Sequence, residues 1–309
     1  MTRVALIALA NAKGSPGTTT AALVLALQWP RPVLLVEADL AGSSILAGYF
    51  RGQLPHDRGL QPLAIAHSHG DLEASFWEQT IPLVRNDPDK KLLPGIVSPH
   101  TAPAVANLWG PLANQLVALE RGGMDVLVDL GRLGTGGVVR EDREPIVRLA
   151  DQVLITTGSR LPDIAVTREL VKSRTSVIDA AARDLTNLTA LTIGPGRPYD
   201  ANEIARTLGL GTVGSLAWDP VNAEVLSVGA PAGRRYSTSP LVRSAEPVIS
   251  RLQDRTEKRR ARFSTGPREG SRGTGPRRPP EQWGADAGQR TVQAGPWRGD
   301  GRGDGRGDA

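Results

Sequence analysis

The chain has 309 residues, no cysteine, and 37 Lys+Arg against 32 Asp+Glu. The absence of cysteine excludes a disulfide framework, a thiolate zinc site and a cysteine nucleophile, and fits a reducing compartment. The basic excess is local: residues 255–309 hold 13 Lys+Arg and 7 Asp+Glu, whereas residues 1–254 hold 24 and 25, so the body lacks a general nucleic-acid signature.

Val4–Ala10 is a continuous apolar run, as expected of a strand buried on both faces, and reads as a strand rather than a cleaved leader. A Gly/Ser/Pro loop follows at 11–17. Thr18–Gln28 then reads as a buried helix closed by Trp29-Pro30. Val33–Glu37 is the next strand. Residues 51–100, rich in Pro, His and Gly, give no clear assignment, and His67-Ser68-His69 reads as a surface loop rather than a metal pair. Ala102–Arg121 is a helix candidate. Met124–Leu130 and Gln152–Thr156 are buried strands, Asp163–Lys172 is a helix, and Leu188–Ile193 and Thr212–Leu216 are strands flanking a helix at Ala201–Leu208.

A last helix spans about 241–252, with apolar residues at 241, 242, 245, 248, 249 and 252, packed on the sheet. The alternation predicts an α/β fold: a mostly parallel sheet with helices on both faces, over residues 1–254. Residues 255–309, dominated by Gly, Pro and Arg and ending in three RGD triplets, are expected to form a disordered tail. No apolar run approaches the ~18 residues of a membrane span, and there is no G-x-S-x-G elbow for serine chemistry.

The most informative stretch is Lys13-Gly14-Ser15-Pro16-Gly17-Thr18-Thr19-Thr20, between a buried strand and a helix. A glycine loop with inward N–H groups and a helix N-terminus is what a phosphate cradle requires; a plain strand-to-helix turn is the competing reading. Lysine is scarce, five residues against 32 arginines, which draws attention to Lys13. In the ordinary frame G-x-x-x-x-G-K-[ST], Thr19 is the hydroxyl that would face magnesium, but Thr18 stands where the lysine should. Asp39 and Asp129 follow apolar strands at their C-terminal ends, where open α/β sheets place ligands.

This loop resembles the deviant Walker A motif, KGGxGKTT, of the ParA/MinD family of partitioning and positioning ATPases. VLLVEADLAGS (33–43), MDVLVDLGRLG (124–134), ADQVLITTGSRLPDI (150–164) and LGLGTVGSLAWDPVNAEVLSVGAP (208–231) are similar to further family segments in the same order. The resemblance implies ATP and Mg²⁺ as cofactors and a homodimer as the working unit. It casts Lys13 as the signature lysine reaching the partner subunit's site, and residues Gly14, Ser15, Pro16, Gly17, Thr18, Thr19 and Thr20 as the cradle. Thr19 and Asp129 become the magnesium holders and Asp39 the acid near the attacking water. It also implies a protein cargo or adaptor as partner and a cytoplasmic location peripheral to membrane or nucleoid.

Two departures matter. The family's phosphate-contacting lysine is Thr18 here, which removes a charge-assisted contact of roughly 1.5–3 kcal/mol and weakens hydrolysis more than binding. Arg132 is the candidate substitute cation. The family's adenine-reading asparagine is replaced by Gly194-Pro195-Gly196. Two function classes therefore stay open: a nucleotide-controlled dimeric switch with weak or absent hydrolysis, and a pseudo-ATPase scaffold that binds none. A third reading gives the basic tail nonspecific contact with DNA or acidic membrane, with a solvated linker as its competitor.

Overall fold

The computed structural model describes residues 5–13, 17–133, 142–173, 178–179, 187–194, 196 and 198–264. The tail beyond Ser264 lies outside the described residues. The first strand, β1 (Leu6–Asn11), leads into α1 (Thr18–Gln28) and β2 (Val33–Glu37). Then come α2 (Leu60–Ser68), the single turn α3 (Leu72–Ser75) and a hairpin of β3 (Ile81–Val84) and β4 (Asp87–Leu93). The chain continues through α4 (Trp109–Ala118), β5 (Asp125–Arg132), α5 (Glu144–Leu149), β6 (Gln152–Gly158) and α6 (Leu161–Lys172). It closes with β7 (Leu188–Gly194), α7 (Ala201–Leu208), β8 (Gly211–Ala217), α8 (Pro220–Ser227) and α9 (Pro240–Ser264).

These strands form one eight-stranded sheet in the order β3-β4-β2-β5-β1-β6-β7-β8, antiparallel only at the β3–β4 hairpin. The expected α/β class is thus the observed one. The hydrophobic runs of β1, β2, β5 and β6 occupy the middle because only there are both faces covered. On one face Ile7, Leu9, Leu35, Leu127 and Leu154 pack beneath α1 and α9. On the other, Ala8, Ala10, Val36, Val128 and Ile155 meet the layer containing α2, α4 and α5. Among the described residues no helix is long and apolar enough to cross a membrane.

One unassigned segment is resolved and three local readings are revised. Residues 81–93 form an edge hairpin. Pro82 and Pro88 hide it from a hydrophobic-pattern reading, and Pro82 suits an edge that needs no further pairing. His67 and Ser68 end α2 and His69 caps it, rather than lying in a loop. The helix expected over 102–121 is split: Pro99–Leu108 is a 3₁₀ stretch, and the α-helix begins only at Trp109, past Pro103, which has no N–H to donate. The last helix also runs to Ser264. Thr256 is buried and its hydroxyl accepts from Gln152 Nε2 at 2.7 Å, so folded structure continues past residue 254.

Two polar anchors hold the central layer. Asp125, wholly buried, accepts from Ala5 N (2.5 Å), Trp29 Nε1 (2.7 Å) and Arg31 Nε (2.8 Å), tying the ends of α1, β1 and β5 together. Lys90 on β4 donates Nζ to the carbonyls of Ala26, Leu27 and Trp29, meeting α1 where its last carbonyls have no intrahelical partner.

Candidate functional site

The C-terminal ends of β1, β2, β5 and β6 lie side by side, and pleat parity decides what they present. Leu9, Glu37 and Asp129 are in register on adjacent strands, as are Asn11 and Thr156. Side chains two residues apart share a face. Asn11, Glu37, Asp129 and Thr156 therefore project from the face that carries α1, toward that helix's first turn.

Gly17, left-handed at φ +87°, caps α1, and among the described residues no side chain caps its first turn. A turn of this kind leaves backbone N–H groups without intrahelical partners and places the positive end of the helix dipole there. Residues 14–16 of the expected cradle lie outside the described residues. Of the others, Lys13 is exposed just beyond β1, and Thr19 and Thr20 are half-buried.

Asp129 is fully buried at the end of β5. Its Oδ1 accepts from Gly131 N at 2.9 Å, while Oδ2 has no hydrogen-bond partner among the described residues. Burial pushes this carboxyl up to about 7, aided by Glu37 and Asp39 and opposed by the Thr19 hydroxyl and Gly131 N–H. The structure thus brings Thr19 and Asp129 together and leaves one carboxyl oxygen without a partner. Magnesium takes one or two protein oxygens and completes its shell with water and phosphate oxygens, and the Thr19 hydroxyl and Asp129 carboxyl are donors of that kind.

Asp39 lies in the turn after β2, with Oδ1 accepting from Ala41 N at 2.9 Å. Its carboxyl presses on Gly131: a Cβ there would stand 2.1 Å from the carboxyl carbon, and Gly131 has φ +58°. Only glycine lets the turn after Asp129 accept both that conformation and that neighbour. Burial raises the Asp39 carboxyl above its ordinary value, against the pull of Ala41 N–H and the Arg143 guanidinium.

Three participants escaped the sequence reading. Arg143, at the start of α5 and wholly buried, donates Nη1 to the carbonyls of Ala38 (3.0 Å) and Leu130 and Nη2 to Arg132 O (3.0 Å). It clamps the ends of β2 and β5, whereas Arg132, a candidate substitute cation, is exposed. Glu37 is also buried. Its two oxygens accept from Ser43 Oγ, Ser44 N, Ile45 N and Gly95 N at 2.6–3.2 Å, fixing the segment after Asp39. Gly131 was visible only as the small residue of an Asp-Leu-Gly run; nothing in the sequence marks Arg143.

A further surprise is Thr18, where the phosphate lysine was expected. It is buried, and its Oγ1 accepts from Asn11 Nδ2 (2.8 Å) and lies 2.6 Å from Thr156 Oγ1. Thr156 Oγ1 also lies 3.1 Å from Ala10 O, which accepts from it. The Thr18 side chain is committed inward, to the sheet.

A mostly parallel sheet with a loop-to-helix turn at its central strand, and with carboxylates at the ends of the neighbouring strands, has the architecture of the P-loop fold. Comparison with solved structures narrows this to the fold of the ParA/MinD ATPases. Over 82% of this chain and 99% of the other, it matches a ParA family ATPase from Chlorobium tepidum TLS with TM-score 0.56 and 15% identity. The MinC:MinD cell division protein complex of Aquifex aeolicus matches with TM-score 0.60 and 14% identity, over 80% and 95% of the two chains. The septum site-determining protein MinD complexed with Mg-ADP from Pyrococcus horikoshii OT3 gives 0.55 and 18%, over 82% and 96%. No protein-family model matches this chain, and no curated protein matches it in sequence.

Proposed function

We propose that this chain is a nucleotide-binding, ParA/MinD-like switch that works as a homodimer to position a protein cargo, with weak or absent ATP hydrolysis. The observation that carries the reading is Asp129 Oδ2, buried and unpartnered beside Thr19 at the uncapped first turn of α1. A carboxylate in that state is costly unless a cation or proton joins it. Thr19 and Asp129 would hold Mg²⁺, which when bound supplies charge neutralisation for the phosphates. Gly14, Ser15 and the residues from Gly17 to Thr20 contribute backbone N–H groups to those phosphates, Pro16 having none to give, with the Thr18 side chain turned away. Asp39 orients a water beside them. Lys13, exposed beyond β1, reaches toward a second copy. A solved MinD relative of this fold carries Mg-ADP, and another is in complex with MinC, which supports both the ligand class and a protein partner. The tail's contact with DNA or acidic membrane stays part of the proposal, and deletion of residues 265–309 tests it in a DNA titration at two salt concentrations.

The inward commitment of Thr18 favours a second reading, a scaffold of the same fold that binds no nucleotide. Calorimetric titration with ATP and ADP in Mg²⁺ separates the two. The switch predicts saturable heat that Asp129→Ala abolishes and a dimer that forms with ATP and needs Lys13. No heat with either nucleotide in the folded full-length chain establishes the scaffold.

A further inference from the structure

Thr18 stands at the centre of a buried hydrogen-bonded relay. Asn11 Nδ2 donates to Thr18 Oγ1 (2.8 Å), Thr18 Oγ1 and Thr156 Oγ1 share a hydrogen bond at 2.6 Å, and Thr156 Oγ1 lies within donating distance of Ala10 O (3.1 Å). All three side chains are buried. The relay joins three elements at one point: β1 through Asn11 and Ala10, α1 through its first residue, and β6 through Thr156. It lies one residue from Thr19 and therefore from the unpartnered Asp129 Oδ2, the feature that marks this turn as a ligand site.

We propose that Asn11, Thr18 and Thr156 are positioning residues for a magnesium-bound nucleoside polyphosphate. The relay pins the first turn of α1 to β1 and β6, so that its free N–H groups and the Thr19 hydroxyl keep a fixed spacing to Asp129. An ordinary cradle holds phosphate with an ammonium that can swing to its target. This chain holds it with neutral donors, whose strength depends steeply on distance and angle, so the rigidity of their mounting replaces the missing charge. The inference rests on the nucleotide-binding reading given above.

The test uses the full-length chain and titrates Mg–ADP and Mg–ATP into wild type, Thr18→Val, Thr156→Val, Thr18→Ser, Thr156→Ser and the double Val variant. Valine keeps the shape and removes the hydroxyl; serine does the reverse. Each single Val variant is expected to bind at least 10-fold more weakly, and each Ser variant within 3-fold of wild type. The double variant should be no worse than the weaker single one, because the two hydroxyls act as one tie. Hydrogen exchange at Ala21 N, which donates to Gly17 O at 2.8 Å, should accelerate in the Val variants and not in the Ser variants. This second readout stands even if one Val variant is too unstable to titrate. Val variants that bind like wild type, or Ser variants as weak as the Val ones, overturn the proposal while leaving nucleotide binding intact. A wild-type chain that binds neither nucleotide overturns the parent reading, and the positioning role with it.

Discussion

Asp129→Asn should stabilise the metal-free protein in a pH-dependent way. In the folded chain the Asp129 carboxyl is pushed from 3.8 to about 7, chiefly by burial. Between those values the native state holds a proton that the unfolded state has released. Stability therefore falls as pH rises, by about 1.4 kcal/mol per unit, and levels off above the folded value. From pH 5 to pH 8 the loss amounts to about 3 kcal/mol. An asparagine side chain fills the same volume, keeps an oxygen for Gly131 N–H and carries no titrating charge. The substitution should then remove this loss, so that the variant gains on wild type by about 3 kcal/mol over the interval, roughly 6–12 °C in Tm. Thermal melts in chelator at pH 5, 6, 7 and 8 measure it, and melts with Mg²⁺ and ADP complete it. Ligand should raise the wild-type Tm at pH 8 and leave the variant unchanged. A wild type and variant whose Tm difference is the same at pH 5 and pH 8 would refute the argument that a buried, cation-deficient carboxylate sits at this strand end.

Gly131→Ala should cost about 1–3 kcal/mol, from positive φ and from the 2.1 Å approach to the Asp39 carboxyl carbon; urea unfolding reads the loss, and the carboxyl ¹³C shift of Asp39 should change because that side chain must move. Arg143→Met strands the carbonyls of Ala38, Leu130 and Arg132, an expected cost of about 3 kcal/mol or more in the same assay, with Arg143→Lys recovering only part of it. Lys90→Met removes the donor to the last carbonyls of α1 and should cost about 1.5–3 kcal/mol, leaving the pH dependence assigned to Asp129 in place.

The central sheet was legible in the sequence because its strands are buried on both faces and must be written in unbroken aliphatic runs. The bounds of α1 were legible for a different reason: Gly17 supplies the left-handed cap and Trp29-Pro30 the stop, and both are local. The edge hairpin at 81–93 was not, because an edge strand has no need of apolar continuity and tolerates Pro82. Among the candidate site residues, Asp39 and Asp129 stood out by their place at strand ends. Arg143 did not, because its role arises from carbonyls of two strands that only the fold brings together. The lysine gap at position 18 was visible, but the relay was not: Thr156 is 138 residues away, and nothing local says that its hydroxyl meets that of Thr18.

That relay changes the meaning of the gap. Had Thr18 pointed outward, the site would be an ordinary cradle with its charge removed. Pointing inward, Thr18 satisfies one buried amide donor and one buried hydroxyl, so Thr18→Lys leaves Asn11 Nδ2 and Thr156 Oγ1 short of a partner and cannot by itself regenerate the ordinary site. Asp129 argues in the opposite direction from loss of ligand. A fold that binds nothing at this edge gains nothing from a wholly buried carboxylate with an unpartnered oxygen, flanked by two further acids, and an amide or aliphatic side chain would relieve the repulsion. The two observations fit together if the chain accepts a cation-bound anion through positioned neutral donors and has surrendered the mobile ammonium that favours phosphoryl transfer.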